Sequence, residues 1–353
     1  MSSLTETAHY TRRIIKISAI LIVTLIITRI SYKAFKDVWT KSHPPPPLPP
    51  TVAFGKLPKI IFPEPNPPID GQKLSYKLET VQGGLPTPAT ITNVYFMPKK
   101  EPNLLALDRA NEQVRKIGFT QRPEMIDDNQ YRWKTDNSPT TSLEMDINSG
   151  NFQMRYEYET DQELLNSKYL PTNEQAATEA KNFLTVNELM AEDLANGTAE
   201  FDYLKASYPN LIPAVSLSEA DFIRVNLFRT TLNDLKVLPP NPKKSLISFL
   251  FSGSRESDKR IVEINYTYWP VSLDNFATYP LKPVNYAWNQ VQANEAYIAN
   301  LGQNEDGKIT IRQVYLAYYD SETPQNYLQP IYVFEGDKNF FAYVPAINPQ
   351  WSE

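Results

Sequence analysis

The chain lacks cysteine altogether and has only two histidines, His9 and His43, among its 353 residues. The absence of cysteine excludes disulfides, thiolate catalysis and cysteine-ligated zinc or iron–sulfur sites. Because both histidines precede the last three hundred residues, that part of the chain holds no Ser–His, Cys–His or histidine–metal site. The 11 glycines are scattered and form no phosphate-binding string. We therefore expect a non-enzymatic protein and predict no catalytic residue, metal site or cofactor.

A large excess of charge of either sign is also lacking. The formal net charge is -5 and the pI is near 5.4. A nucleic-acid-binding domain is expected to carry a basic face, because phosphate contacts supply much of its affinity. The sequence therefore predicts no nucleic-acid partner. The basic residues around the N-terminal apolar run are interpreted as contacts with lipid headgroups.

Only one long apolar run occurs, over residues 17–28, and it is shorter than the roughly 20 residues that span a bilayer. The stretch over residues 14–35 reaches that length. Three basic side chains interrupt it near its ends, where long side chains can reach the lipid headgroups. They are Lys16, Arg29 and Lys33. The run therefore predicts a helix that contacts membrane lipid.

The same run would also suit the core of a cleaved signal peptide. No small-residue cleavage site follows it, so we predict a short tail over residues 1–13 and a retained anchor over residues 14–36. The flanking basic residues slightly favour a cytoplasmic head, whereas long domains cross a membrane largely regardless of such a bias. We expect a single-pass protein of the cell membrane with an extracytoplasmic C-terminal head.

Proline is dense between residues 43 and 68, where the strings HPPPPLPP and LPKIIFPEPNPP occur. At this density neither a helix nor a central strand can form, so polyproline II is the expected conformation. We predict a linker over residues 37–69 that acts as a semi-rigid stalk. Two alternatives stay open: the segment is a PxxP-type ligand, or the apolar patch from Leu57 to Phe62 docks on the head.

From about residue 70 the pattern is globular, and a helix precedes three strands three times. Gly118 suits a left-handed helix cap, and Thr172 with Gln175 forms a capping box. A slip in the alternation near Gln313 indicates a bulge. We predict an α+β fold of repeated units, each a helix packed on small antiparallel sheets, over residues 70–165, 166–275 and 276–353. The predicted helices cover residues 103–117, 172–189 (or two pieces before 208) and 284–301, and the predicted strands cover 131–133, 142–147, 152–158, 222–228, 245–251, 260–269, 308–318, 329–334 and 339–344.

The C-terminal stretch reads YAWNQVQANEAYIANLG, then ITIRQVYLAYYD, then LQPIYVFEGDKNFFAYVPAI. This order of helix, tyrosine-ended strand and proline-led hairpin resembles the last unit of YycH/YycI-type and PepSY-like extracytoplasmic proteins. The whole chain also resembles membrane-anchored proteins of reduced-genome bacteria. The YycH/YycI resemblance implies a role in binding or restraining a membrane sensor or enzyme, and it implies no catalytic residue.

Two patterns of acidic residues are considered as functional sites, one for calcium binding and one for glycoside hydrolysis. The string Asn304-Glu305-Asp306-Gly307 is similar to part of a calcium loop, but the first and twelfth ligand positions would fall on glycine and glutamine, so a polar turn is favoured. Two carboxylate pairs, each predicted on one face of a strand about 6 to 7 Å apart, would suit glycoside hydrolysis, although solvated strand faces produce such pairs routinely. The pairs are Glu144 with Asp146, and Glu157 with Glu159.

Aromatic residues cluster on the predicted strands. Such rings can stack on glycans or peptides, but a small sheet more often buries them in its core. Trp269 and Trp351 are the expected exposed exceptions. The clustered residues are Tyr131, Trp133, Tyr266, Tyr268, Tyr315, Tyr318 and Tyr319.

The sequence as a whole favours a membrane-anchored extracytoplasmic protein that binds or regulates another membrane or envelope protein. A glycan-binding module of the cell envelope or a carboxylate-dependent hydrolase is the alternative, and a structural spacer is a third interpretation. A contiguous exposed apolar surface on the head would favour a protein partner.

Overall fold

The computed structural model describes residues 4–42, 49–65 and 73–353. The chain divides into two compact units, Met1–Pro49 and Pro50–Glu353. The second unit, which we call the head, combines helices with β-sheets. The predicted α+β fold class is therefore confirmed.

Within the first unit the structure describes one long helix, α1 (Leu4–Ser42). Its segment Thr11–Lys36 is long and apolar enough to cross a membrane, with a mean hydropathy of 2.1. The Ser18 hydroxyl donates to the Ile14 carbonyl at 2.8 Å, which is the internal pairing that apolar surroundings require of a polar group. The helix continues beyond the predicted end at residue 36, because the first proline occurs only at residue 44.

The head contains short helices and many strands. Its helices are α2 (Ala106–Ile117), α3 (Gln162–Asn166), α4 (Asn173–Val186), α5 (Glu192–Ala195), α6 (Ser257–Arg260) and α7 (Val284–Gln292). Its strands are β1 (Ser75–Leu78), β2 (Ile91–Phe96), β3 (Glu124–Met125), β4 (Gln130–Lys134), β5 (Thr141–Asp146), β6 (Phe152–Tyr156), β7 (Thr198–Ser207), β8 (Asn210–Pro213), β9 (Phe222–Phe228), β10 (Lys236–Leu238), β11 (Ile247–Ser252), β12 (Ile261–Tyr266), β13 (Ser272–Pro280), β14 (Tyr297–Asn300), β15 (Lys308–Tyr319), β16 (Tyr327–Leu328), β17 (Pro330–Gly336) and β18 (Phe340–Pro345).

These strands form three sheets. A nine-stranded antiparallel sheet has the order β3-β4-β5-β6-β12-β11-β9-β7-β8. A six-stranded sheet has the order β1-β15-β17-β18-β14, with β10 also paired to β15, and a three-stranded sheet has the order β13-β2-β16. Strands β1 and β10 run parallel to β15, which the prediction of antiparallel sheets did not include.

The strands do not sort into the three predicted helix-plus-sheet units. The nine-stranded sheet draws strands from both the 70–165 and the 166–275 range, while β1 and β2 join strands that lie beyond residue 271. Local patterning locates strands, but it does not specify partners this far apart in sequence, and consecutive strands are neighbours only about two-thirds of the time.

Helix boundaries follow the local signals in two cases and depart from them in a third. Gly118 caps α2 with φ of 115°, as predicted. The predicted capping box opens α4, where the Thr172 hydroxyl accepts from the Gln175 amide at 3.3 Å. The third predicted helix, over residues 284–301, is corrected: α7 ends at Gln292, Asn294 takes a left-handed φ of 59°, and residues 297–300 form β14. Residues 198–207, where a second helical piece was allowed, form β7.

Helices α2 and α4 cover one face of the nine-stranded sheet. Small side chains on the helices, Ala110 in α2 and Ala176 and Ala180 in α4, are buried against the apolar strand residues. The alternation of side chains along each strand places the next residues on the opposite face, away from these helices. On that opposite face Phe222 and Leu250 pack with α3, and the remaining area is left for polar side chains.

The six-stranded sheet is covered on one face by α7 and on the other by the proline-rich segment. Ala287 and Val291 of α7 are buried in the first layer. Ile60 and Phe62 pack in the second layer, where the Phe62 ring stacks on Tyr297 with centroids 4.7 Å apart. Both faces of this sheet are thus apolar.

Residues 50–65, which we call the strap, pack on the head rather than forming part of the predicted 37–69 stalk. Leu57 is fully buried, its amide donates to the Trp351 carbonyl at 2.9 Å, and its carbonyl accepts from the Glu353 amide at 3.0 Å. The apolar side chains of the strap explain this packing, since exposing them to water costs free energy. Residues 43–48 and 66–72 of the proline-rich region lie outside the described residues.

Candidate functional sites

Three of the four carboxylates considered for hydrolysis bond structural partners, and the fourth, Glu157, is exposed. Glu144 forms an ion pair with Arg132 at 2.6 Å, and Asp146 accepts from the Ser149 amide at 2.7 Å within the β5–β6 turn. Strand β6 ends at Tyr156, so the second pair lies in the following turn and not on one face of a strand. Its Glu159 is paired with the Arg155 guanidinium. Neither pair forms an open acid–base site.

The acidic string at 304–307 forms the turn between β14 and β15. Asn304 is buried, and its side-chain amide donates to the Leu301 carbonyl at 2.9 Å and to the Asp337 carbonyl at 3.1 Å. Gly307 has a left-handed φ of 69°, as the polar-turn interpretation requires. No group of three or more metal-ligating side chains occurs in the described part of the chain.

Most of the clustered aromatics lie in the core. Trp133, Tyr266, Tyr318 and Tyr319 are buried, whereas the other three are half-buried. The expectation of exposure for Trp269 and Trp351 is corrected: both are half-buried, because each packs against a cluster of buried apolar side chains. The aromatic residues therefore stabilise the sheets more than they present a stacking surface.

The face of the nine-stranded sheet opposite α2 and α4, which we call the polar face, carries two neighbouring rows of cross-strand partners that are almost all polar. Cross-strand partners in direct register lie on the same face of a sheet. The first row is Arg132, Glu144, Gln153, Asn265, Ser248, Asn226 and Glu200, and the second is Lys134, Ser142, Arg155, Glu263, Leu250, Arg224 and Asp202.

A cleft of about 530 Å³, the polar cleft, opens on this face. Its floor includes Asn226 and Ser248, which are only 2% and 5% exposed, together with Asn265. One wall is formed by the strap at Pro63 and by Tyr297 of β14. The cleft therefore combines amide and hydroxyl groups below with an aromatic wall beside them.

The charged groups of the polar cleft largely satisfy one another. Glu263 accepts from Arg224 at 3.2 Å and from the Asn265 amide at 2.8 Å. The Arg224 Nε is buried and has no hydrogen-bond partner within the described residues. Burial raises the pKa of Tyr297 to about 12, with a further contribution from the Glu322 carboxylate, so the phenol stays neutral at physiological pH. The arrangement suits a polar ligand better than it suits acid–base chemistry.

The outer edge of the nine-stranded sheet exposes apolar side chains. We call this surface, formed by Tyr208, Ile212, Val215 and Leu217, the apolar edge. The exposed fractions of these four side chains are 85%, 44%, 92% and 58%. All four lie on β8 or in the adjoining turns, at the end of the sheet where no further strand of the described residues pairs. Clustered exposed apolar residues on a sheet edge are typical of an interaction surface.

A buried ion cluster joins the ends of the two larger sheets, and no sequence signal predicted it. Arg229 follows β9 and bonds Asp193 of α5 at 2.6 Å and Asp320, after β15, at 3.1 Å. Burial acts to lower the pKa of Arg229, but the two carboxylates outweigh it and hold the pKa above its ordinary value. Burial also raises the pKa of Asp320, against the opposing effect of Arg229. These charges lie far apart in sequence, so only the fold brings them together.

Lys282 is a buried cation that the sequence analysis also missed. It is 8% exposed, and its ammonium donates to the Gln290 side-chain oxygen at 2.5 Å. No carboxylate pairs with it within the described ranges. Burial lowers the pKa of Lys282 to about 8, because the uncharged amine is cheaper to remove from water.

Replacing this lysine by Lys282→Met is expected to raise the free energy of unfolding at pH 7 by about 1–3 kcal/mol. The folded-state pKa of about 8 lies below the unfolded value, so the unfolded wild-type chain binds more protons above pH 8 and stability rises with pH until the unfolded lysine titrates. Urea unfolding of both chains between pH 7.5 and 9.5 measures this slope. Equal slopes for the two proteins would contradict the prediction.

No family model matches the chain, and no curated protein matches it. Among solved structures it is similar to an uncharacterised protein from Eubacterium rectale, with 10% sequence identity and a TM-score of 0.38. The alignment covers 72% of this chain and 82% of that one. The YycH/YycI resemblance of the C-terminal stretch stays a prediction, and function is argued below from the geometry of the head.

Proposed function

We propose that the protein is a non-enzymatic, single-pass membrane protein whose head binds another membrane or envelope protein. The Thr11–Lys36 segment supports retention in the membrane, since its length and hydropathy suit a spanning helix and no cleavage site follows it. The proposal places the head outside the cytoplasm, because long domains are translocated largely regardless of flanking charge.

A binding role is favoured over catalysis by the state of the candidate carboxylates. Glu144 and Glu159 pair with arginines, and Glu263 is held by Arg224 and Asn265. A general acid needs a raised pKa and an open approach to substrate. These three carboxyls are instead held by structural partners.

The apolar edge carries the proposal of a protein partner. An apolar side chain such as Val215, which is 92% exposed, stabilises a complex when a partner removes it from water. Its neighbours Tyr208 and Leu217 enlarge the surface, and Ile212 lies on the edge strand itself. The YycH/YycI resemblance implies a membrane sensor or enzyme as the class of partner.

Site-specific photo-crosslinking in intact cells of the native host tests this proposal. The full-length chain carries p-benzoylphenylalanine in place of Val215, and we expect it to capture one protein. The substitution Ile212→Glu is expected to reduce capture at least tenfold, because a carboxylate would be buried in the contact.

Two matched controls make the result specific to the apolar edge. Val81 is 99% exposed, so the same crosslinker at that position reports non-specific capture, and Val186→Glu places an acid at a valine that is 77% exposed. Equal capture from positions 215 and 81, or an equal loss with Ile212→Glu and Val186→Glu, would argue against the proposal.

The polar cleft favours glycan binding as a second candidate, because Asn226, Ser248 and Asn265 offer the amide and hydroxyl groups that pair with sugar hydroxyls. The stacking of Tyr297 on Phe62 counts against it, since that ring face is then closed to a sugar. Titration calorimetry with soluble cell-wall oligosaccharides tests glycan binding. Binding to the wild-type chain that is lost in Asn265→Leu would support this candidate, whereas the absence of any heat of binding would rule it out.

A further inference from the structure

A second cleft, which we call the aromatic cleft, lies beside α2, the turn between β5 and β6, and the chain that follows α4. Its volume is about 420 Å³. Apolar groups form most of its lining, including Met145, Ile147, Leu189, Met190 and Tyr266. A cleft of this volume with an apolar lining is within the size range of small-molecule sites.

The mouth of the aromatic cleft is positively charged. Lys100 and Arg109 both line it, both are exposed, and neither forms an ion pair with a carboxylate of the described residues. Lys100 donates to the Ser149 carbonyl at 3.2 Å, which holds the ammonium beside the opening. Glu188 also lines the cleft, but its charge is balanced by Lys116 at 2.7 Å.

The interior of this cleft is electrically neutral. Tyr268 lines it and donates its hydroxyl to Asp193 at 3.0 Å, while Asp193 is itself paired with Arg229 at 2.6 Å behind the wall. Burial raises the pKa of Tyr268 above its ordinary value, so the phenol stays protonated. An apolar, uncharged interior below two cations defines an amphipathic site.

We propose that the aromatic cleft binds a small anionic amphiphile, with its apolar chain against Met145, Met190 and Tyr266 and its anionic group between Lys100 and Arg109. Removing the chain from water favours binding in proportion to the apolar area that the cleft buries. The two cations select the anion, since a charge-assisted hydrogen bond is about twice as strong as a neutral one. This site does not depend on the proposed partner-binding function, because it shares no residue with the apolar edge.

Photoaffinity labelling of the full-length chain in nanodiscs of uncharged phosphatidylcholine tests the site. The probe is a twelve-carbon fatty acid with a terminal diazirine, compared with the primary amide of the same chain. We expect the acid to label peptides that contain Met190 or Ile147 at least tenfold more than the amide does, which corresponds to about 1.4 kcal/mol.

Two variants separate the charge from the cleft. Lys100→Glu with Arg109→Glu is expected to reduce labelling at least tenfold, whereas the control Lys99→Glu with Arg115→Glu changes the net charge equally at exposed neighbours that do not line the cleft. Ala191→Phe places a ring in the cleft and is expected to block labelling without reversing any charge. The urea midpoint of each variant shows whether it folds. If Ala191→Phe does not fold, the charge variants alone still test the site.

Three results would overturn the proposal. They are equal labelling by acid and amide, labelling confined to peptides of α1 or of the polar cleft, and equal losses in the cleft and control charge variants. Labelling of the cleft by the acid alone, lost only in the cleft variants, would establish it.

Discussion

Replacing the buried arginine by Arg229→Met is expected to destabilise the head by about 3–5 kcal/mol, the cost of leaving buried charge without a partner. The guanidinium is the cation that faces both Asp193 of α5 and Asp320, which follows β15. Its ring contact with Tyr268, at 4.9 Å, is lost as well. Urea unfolding of the detergent-solubilised full-length chain, followed by tryptophan fluorescence, measures the loss.

An exposed arginine with two acidic partners provides the comparison. Arg312 bonds Asp337 at 2.6 Å and Glu79 at 2.8 Å, but its side chain is 46% exposed. Arg312→Met is therefore expected to cost no more than about 1 kcal/mol. The loss of unfolding free energy caused by Arg229→Met should also be smaller at pH 5 than at pH 7. Burial already raises the pKa of Asp320, so once this carboxylate has lost its arginine it can bind a proton as the pH falls. Similar costs for the two arginines would refute the assignment of a buried cluster.

The second large effect is expected at the strap. Leu57→Ala should destabilise the head by about 2–5 kcal/mol, because the side chain is fully buried and its loss leaves a cavity next to the C-terminal residues. The same unfolding measurement applies. The backbone bonds of Leu57 to Trp351 and Glu353 are unaffected by the substitution, so the cost reports side-chain packing.

Ile61 serves as the matched control within the same strap. It is 76% exposed, so Ile61→Ala is expected to change the free energy of unfolding by less than about 0.5 kcal/mol. If the strap were a free stalk, neither Leu57→Ala nor Ile61→Ala would change the free energy of unfolding. Packing of the strap on the head predicts a large difference between two aliphatic residues that are four positions apart.

Features that depend on a few neighbouring residues could be predicted from the sequence. Gly118 and the pair Thr172 and Gln175 mark helix ends through bonds within a single turn. The bulge near Gln313 also shows in the alternation of apolar residues, and the register of β15 with β17 shifts there. In contrast, the end of α7 depends on Asn294, and asparagine signals a left-handed helix end less strongly than the glycine at residue 302, where the prediction placed the end.

The candidate sites could not be predicted in the same way. Glu263 and Asn265 alternate visibly with apolar residues along β12, but the polar face exists only because seven strands align their polar positions in register. The partners of Arg229 lie 36 and 91 residues away in sequence. Burial and pairing at such separations are properties of the tertiary fold, which local sequence patterns do not reveal.

The contact between Leu57 and the last two residues has a consequence for biosynthesis. Ribosomes make the strap long before Ser352 and Glu353, yet the strap pairs with both of them. Strand β1, also made early, pairs with β15, more than 200 residues later. The six-stranded sheet is therefore completed only after β18 has been made, and until then Ile60, Phe62 and their sheet partners stay available to chaperones.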